Sequence, residues 1–405
     1  MHTRHAGFRV VLCLVCAALA LVARAQPARQ ERPRIKDDDF GSSLKRLRWD
    51  EEKKAAVEAE PGKGAGKTPD EEEVLSVQTS LVVCDVLVLD RQGRSVQGLT
   101  RDDFVVTEDG RPQQITTFAL GDNASVPRSI VLILDYSRSL LPYIKTSVAA
   151  AKTLIDKLGA RDRMAIVTDN VELLANFTSD KEELKRALES LEKGTTSEGS
   201  LTPSGALRRQ FGRSLQYSAL LATLREMFDG EDLRPIVIFQ TDGDEVHFLR
   251  DPIIPPPKYL QNTVREFSLG DIHRAAEKSR ATIYTIIPGP RFLRVTPEEQ
   301  ARLDQAYRER SAPLQLKPGD HGLKIQMALG DVANLTGGWA DFLEEPSQAA
   351  SVYARVLSDI NRRYVVGYYP SNKVRDGKRR FVKIEVRGHP DYAVRGRKSY
   401  YAPGQ

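Results

Sequence analysis

The chain has 405 residues, 40% hydrophobic and 28% charged, with a formal net charge of +5. That is room for two domains with the balance of an ordinary globular protein, and it carries no basic excess that would imply a nucleic-acid partner. Three cysteines, two of them in an N-terminal apolar run, exclude a disulfide framework and a cysteine-built metal centre in the remainder.

In chain order, residues 1–25 have the outline of a secretory signal. Arg4 and Arg9 precede the apolar stretch Val10–Val22, and Ala23-Arg24-Ala25 follows as a small-x-small cleavage site. The apolar run falls short of the ~20 residues of a spanning helix, with an uncleaved anchor as the alternative. Neither Cys13 nor Cys16 stands in a lipoprotein cleavage box. Residues 1–25 hold three arginines and no acid, so the rest carries a formal +2. No later stretch is apolar enough to span a bilayer. The expected location is secreted, periplasmic or cell-envelope, and an exported chain left with Cys84 alone points to a bacterial source. Cys84 sits in an apolar strand and reads as a buried, inert thiol.

Residues 26–73 mix charge runs with Pro, Gly and Lys and read as a disordered tether; a short docking element around Leu44, Leu47 and Trp49 is the alternative. Residues 74–122 change to short strands at Asp85–Leu89, Val105–Thr107 and Ile115–Phe118. Turn signals separate them at Asp90-Arg91-Gln92-Gly93 and Glu108-Asp109-Gly110-Arg111. Leu99 and Phe104 are expected to plug the core. This is β-sandwich material with too few strands to close by itself.

Residues 127–362 alternate β and α patterns, which predicts an α/β fold: a doubly wound, mostly parallel sheet with helices on both faces. The run Ser129–Leu134 lacks polar alternation and suits a strand buried on both faces. It ends in Asp135-x-Ser137-x-Ser139, at the carboxyl end where ligand sites of such sheets lie. One carboxylate and two hydroxyls suit a hard divalent cation such as Mg²⁺. Met164–Thr168 and Val171–Phe177 read as a short hairpin. Ser179-Asp180-Lys181-Glu182 reads as a capping box, and Gly194–Arg213 as a long polar loop. A second buried strand, Ile236–Gln240, ends in Thr241-Asp242-Gly243. Ile283–Ile287, a helix over Ile325–Leu335 stopped by Gly337-Gly338, a strand at Trp339–Leu343 and a helix over Ser347–Asn361 complete the layer. Asp251–Pro257 reads as a rigid excursion and Pro297–Arg310 as a helical insertion. Residues 363–403 return to β alternation and are expected to finish the sheet begun at 74–122, so that the α/β segment is inserted in a discontinuous β domain.

The Asp135-x-Ser137-x-Ser139 stretch resembles the metal-ion-dependent adhesion site of von Willebrand factor type A (vWA) domains. The resemblance implies an Asp on a third loop, matched by Asp242, and a Thr on a second loop. There the chain has Gly212-Arg213-Ser214, so Ser214 is the candidate. Asp90-x-x-Gly93, Glu108-Asp109-Gly110, Thr336-Gly337-Gly338, Tyr364…Gly367-Tyr368-Tyr369 and Tyr400-Tyr401 resemble, in that order, a vWA-related family of exported Acidobacterial proteins over roughly residues 76–402. Arg138, Ser214 and Ser218 depart from the vWA pattern.

The resemblance implies a metal site of Asp135, Ser137, Ser139, Ser214 and Asp242 holding Mg²⁺ (or Mn²⁺ or Ca²⁺), with no catalytic residues. The ion would coordinate an acidic side chain of a partner protein, making the chain a binding or adhesion module rather than an enzyme. Two other readings stay open. Asp and Ser also cap strand-to-helix turns, so the chain can be a metal-independent scaffold. A single metal with spare coordination can serve a hydrolase, although no Gly-x-Ser-x-Gly, phosphate loop or His-Glu-x-x-His accompanies it. Asp244 and Glu245 read as solvated loop residues, with a supporting role behind the site as the alternative. The basic set Lys378, Arg379, Arg380, Lys383, Arg387, Arg395, Arg397 and Lys398 reads as protection of an exposed sheet edge, with recognition of an acidic partner as the alternative.

Overall fold

The computed structural model describes residues 45–50, 55–58, 81–121, 126–196, 215–228, 234–245, 267–291 and 320–404. Its central strand, Arg128–Leu134 (β7), is buried at every position, as an unbroken Ile/Val/Leu run requires. Arg234–Gln240 (β10) has the same pattern and lies parallel to β7, Ile236 beside Ile130 and Gln240 beside Leu134. Thr282–Pro288 (β11) and Ala340–Leu343 (β12) continue the sheet in parallel beyond β10. On the other side Arg163–Thr168 (β8) is parallel to β7, and Glu172–Thr178 (β9) returns antiparallel to it as the expected hairpin.

Side chains alternate along a strand, so β7 and β10 offer one apolar row to each face. Ile130, Leu132, Ile236 and Ile238 pack against Leu141–Asp156 (α1), Lys181–Thr196 (α2) and Ala349–Arg362 (α6). The opposite face carries Gln216–Glu226 (α3), Leu269–Ser279 (α4) and Asp320–Leu335 (α5), with α3 on α4, α4 on α5 and α5 on β11. The cap of α2 is one residue later than the Ser179 signature implies: Asp180 Oδ1 accepts the N–H groups of Glu182 and Glu183 at 2.9 and 3.2 Å.

Val82–Leu89 (β3), Phe104–Glu108 (β4), Arg111–Gln113 (β5) and Ile115–Leu120 (β6) are joined by strands from the far end of the chain. These are Tyr364–Tyr368 (β13), Arg379–Val386 (β14), Ala393–Arg395 (β15) and Ser399–Tyr401 (β16). Two four-stranded antiparallel sheets result, β15-β3-β13-β6 and β16-β14-β4-β5, closing over Val86, Phe104, Val106, Tyr364 and Val382. Cys84 is sealed in this core, where burial pushes its thiol up to about 11. The turn after β4 narrows to Asp109 and Gly110, both at positive φ. Glu108 is instead buried, its carboxylate accepting the hydroxyls of Tyr368 at 2.9 Å and Tyr400 at 2.8 Å.

Two sealed arginines join the sandwich to the α/β layer. Arg234 donates to Asp85 Oδ1 on β3 at 2.9 Å, to the Gly121 carbonyl at 2.6 Å and to the Ile360 carbonyl at 3.1 Å. Arg363 donates to Asp359 Oδ1 at 3.0 Å, to the Gly337 carbonyl at 2.7 Å and to the Asp85 carbonyl at 3.3 Å. The C-terminal basic set divides accordingly. Lys383, Arg387, Arg395 and Lys398 are exposed, as edge protection requires, but Arg380 and Arg397 are buried. Arg379 and Ser399 hold Glu277 of α4, and Arg397 donates to the Arg280 carbonyl. Charges that read as surface protection are partly internal fastenings.

At the start of β7, Asp162 accepts the Arg128 N–H at 3.0 Å, its guanidinium Nε at 2.9 Å and the Gly159 N–H at 2.8 Å. Burial pushes the Asp162 carboxyl up, but these hydrogen bonds and the Arg128 charge outweigh it and hold the carboxyl below its ordinary value. A depressed carboxyl stabilises the fold above its unfolded pKa of about 3.9, and that contribution disappears as pH falls through the folded value. Asp162→Asn is therefore expected to lose about 1–3 kcal/mol at pH 7. In urea titrations the gap to wild type should close below about pH 4. A gap constant with pH would contradict this.

The stretch expected to be a structureless tether contains strands Lys45–Asp50 (β1) and Ala55–Glu58 (β2), antiparallel to each other. β1 pairs in parallel with β9, Lys45 beside Glu172 and Arg46 beside Leu173. The cause lies in the sheet: without β1, β9 would be an edge with an unpaired backbone row. Residues 1–44 and 59–80 lie outside the described residues, as do Asp251–Pro257 and Pro297–Arg310. Among the described residues no helix is long and apolar enough to cross a membrane.

Candidate functional site

The carboxyl ends of β7, β8 and β10 lie side by side, and the backbone locks the turns that leave them. The Asp135 N–H donates to the Gln240 carbonyl at 3.0 Å, the Asp169 N–H to Leu134 at 3.3 Å and the Thr241 N–H to Ile286 at 3.0 Å. Asp135 therefore leaves β7 directly beside Thr241 and Asp242. Gly243 completes the second turn at φ +73, where a Cβ would meet Ile325 and Leu329 of α5 at 2.6 and 2.9 Å. Only glycine fits that turn.

Within this frame the oxygens form a chain from interior to surface. Asp135 is fully buried; Oδ1 accepts the Ser137 N–H at 2.9 Å, and Oδ2 accepts Thr241 Oγ1 at 2.9 Å and Gln216 Nε2 at 3.0 Å. Ser137 Oγ and Ser139 Oγ lie 3.1 Å apart, and Ser139 Oγ donates to Asp242 Oδ2 at 2.7 Å. Asp242 Oδ1 is 3.4 Å from Gln216 Nε2 and accepts the Asp244 N–H at 3.1 Å. Ser139 is exposed and Ser137 and Asp242 are half-buried, so the group opens to solvent on one side.

Burial, and then the nearby charges of Asp169 and Asp242, push the Asp135 carboxyl up to about 8. Three acids gathered at one sheet end favour a proton or a positive ion there. Oxygen-only donors suit a hard cation, and an octahedral Mg²⁺ with Mg–O distances of 2.0–2.1 Å has oxygen–oxygen edges of about 3 Å. The 3.1 and 2.7 Å steps through Ser139 match that edge. Among the described residues no group of three or more His, Cys, Asp or Glu is placed to hold a metal; the fit depends on hydroxyls.

Of the residues chosen from sequence, Asp135, Ser137, Ser139 and Asp242 come together. Ser214 and the Arg138 side chain lie outside the described residues. Asp244 is exposed, as a solvated residue should be. Glu245 is not: it is buried and accepts the N–H groups of Tyr217 at 2.5 Å and Ser218 at 3.3 Å, and Ser218 Oγ at 2.9 Å. It caps α3 from another loop, in the place where Ser218 leaves the helix start without its own acid. Burial pushes the Glu245 carboxyl up to about 7, against the pull of these hydrogen bonds. Sequence reading missed Thr241, Asp169 and Gln216. The first two follow β10 and β8 directly and could be found by taking every polar residue at a strand's carboxyl end. Gln216 gives only a faint signal, a polar residue among Leu215, Ala219 and Leu220 at the start of an apolar helix.

The strand order β12-β11-β10-β7-β8-β9, parallel but for one neighbour and covered by helices on both faces, is an α/β fold of the vWA type. Asp135-x-Ser137-x-Ser139 and Asp242 close its adjacent central strands. No family model and no curated protein matches the chain. Solved structures similar to it include the conserved hypothetical protein BatB from Bacteroides thetaiotaomicron, 16% identical, covering 57% of this chain and 96% of that one at a TM-score of 0.34. The vWF domain of the type V pili tip protein Mfa5 from Porphyromonas gingivalis is 14% identical, covering 58% and 95% at 0.35. Manganese-loaded Plasmodium vivax TRAP protein is 14% identical, covering 73% and 98% at 0.32.

Proposed function

We propose that the chain is an exported, non-enzymatic binding module whose Asp135, Ser137, Ser139 and Asp242, with Ser214 from the intervening loop, hold a divalent cation, Mg²⁺ or Mn²⁺. The observation that carries this reading is the continuous run of oxygens from buried Asp135 to exposed Ser139, built by two loops from adjacent parallel strands. When bound, the ion would supply an open coordination position for an acidic side chain of a partner protein. The chain's own part is to hold its oxygens still: Thr241 fixes the Asp135 carboxylate, and Glu245 fixes the start of the helix that carries Gln216. The β sandwich serves as a mount or a second interface.

One observation favours a metal-independent scaffold instead: the Gln216 amide already places an N–H group between the two carboxylates. A Mn²⁺ titration followed by electron paramagnetic resonance separates the readings. The wild-type chain is expected to quench the aqueous Mn²⁺ signal at one ion per chain, with Mg²⁺ competing. Asp135→Ala should weaken binding on the order of 100-fold. A wild-type chain that leaves the aqueous signal unchanged would overturn the cation reading.

A further inference from the structure

We propose that Gln216 is itself a member of the cation site, its side-chain amide turning over when the ion enters so that Oε1 becomes a ligand. This rests on the cation reading above. Gln216 is 1% exposed and is the first residue of α3, whose entry is pinned by Glu245 on the Tyr217 and Ser218 N–H groups and by the Leu215 N–H on the Asp169 carbonyl at 3.0 Å. Its Nε2 lies 3.0 Å from Asp135 Oδ2 and 3.4 Å from Asp242 Oδ1, so one edge of the amide faces carboxylates from both loops. The other edge ends in Oε1, which is buried with no hydrogen-bond partner among the described residues. Buried polar atoms are seldom left so.

The terminal torsion of glutamine is broad and two-fold, and a half-turn exchanges nitrogen and oxygen in nearly the same space. That half-turn sets Oε1 where Nε2 lies, 3.0 Å from Asp135 Oδ2, which matches the edge of an octahedral Mg²⁺ shell, and 3.4 Å from Asp242 Oδ1. An amide oxygen facing two carboxylates is repelled unless a positive charge lies among them. The orientation of the amide is therefore tied to the cation: the N–H edge serves bare carboxylates, the carbonyl edge serves an ion. The pinned helix start lets the amide turn without moving the backbone.

Three measurements on the full chain test this. Gln216→Leu, which keeps the bulk but removes the oxygen, is expected to bind Mn²⁺ about tenfold more weakly. Gln216→Glu, which keeps an oxygen there and removes the N–H groups, should stay within about threefold of wild type. In a chain labelled with ¹⁵N-glutamine, saturating Mg²⁺ should shift the pair of side-chain amide resonances that Gln216→Leu lacks, as their hydrogen bonds to carboxylate are lost. Wild-type affinity in Gln216→Leu, failure of binding in a folded Gln216→Glu, or amide resonances unmoved by Mg²⁺ would each overturn the proposal. Should Gln216→Leu not fold, the Glu variant and the resonances decide alone. A wild-type chain that binds no Mn²⁺ defeats the cation reading and this inference with it; normal wild-type binding with an unaffected Leu variant defeats this inference only.

Discussion

Arg363→Ala is expected to lose about 3–5 kcal/mol of unfolding free energy, the penalty of breaking a buried ion pair from one side. The Arg363 side chain is fully sealed, and its guanidinium reaches the Asp359 carboxylate on α6, the Gly337 carbonyl after α5 and the Asp85 carbonyl on β3 together. It also stands 5.4 Å over the ring of Tyr284 on β11. Removal leaves Asp359 with the Trp339 Nε1–H alone among its described partners, and leaves two carbonyls without their donor. Arg363→Lys keeps the charge but not the planar fork, and should fall between wild type and Ala. Urea denaturation measures the series. A loss below about 1 kcal/mol for the Ala variant would mean that the pair's desolvation cancels its attraction.

Gly338→Ala should be comparably severe for a steric reason. A Cβ at Gly338 would lie 1.9 Å from the Ile283 carbonyl oxygen, and one at Gly337, held at φ +83, would lie 2.5 Å from the backbone of Gly396. Neither neighbour can swing aside: Ile283 belongs to core strand β11, and its N–H donates to Thr336 Oγ1 at 2.9 Å. Thr336-Gly337-Gly338 thus ends α5 directly against β11 and the segment that crosses from β15 in one sheet of the sandwich to β16 in the other. A loss of more than about 3 kcal/mol, or failure to fold, is expected. Gly330 in α5 is the control, since a Cβ there meets nothing within 4 Å. Gly330→Ala should be stabilising by up to about 1 kcal/mol from helix propensity. Equal stabilities for the two variants would refute the packing argument.

The contrast between these glycines shows what the sequence discloses. Gly337-Gly338 reads correctly as a helix stop, because glycine ends helices, yet nothing in the string says that β11 presses against it. The parallel sheet is legible because burial on both faces demands unbroken apolar runs, and β7 and β10 have them. Asp135, Ser137, Ser139 and Asp242 are legible because site residues gather at the carboxyl ends of such strands. What escapes reading depends on tertiary neighbours. Glu245 resembles any loop acid until α3 is placed above it, Arg397 resembles a surface charge until Arg280 meets it, and Glu108 resembles a turn residue until Tyr368 and Tyr400 enclose it. Lys45–Asp50 is too charged to nucleate a strand by composition, and pairs because β9 offers it an open edge.

The most direct test of the cation site is a crystal structure of the full chain grown with Mn²⁺, with diffraction recorded on both sides of the manganese absorption edge. One anomalous peak is expected at the end of β7, within about 2.3 Å of Ser137 Oγ, Ser139 Oγ and an oxygen of Asp242 or of a water held by it, open to solvent on the remaining side. A map with no manganese peak at this place, while Ser137, Ser139 and Asp242 are well ordered, would contradict it.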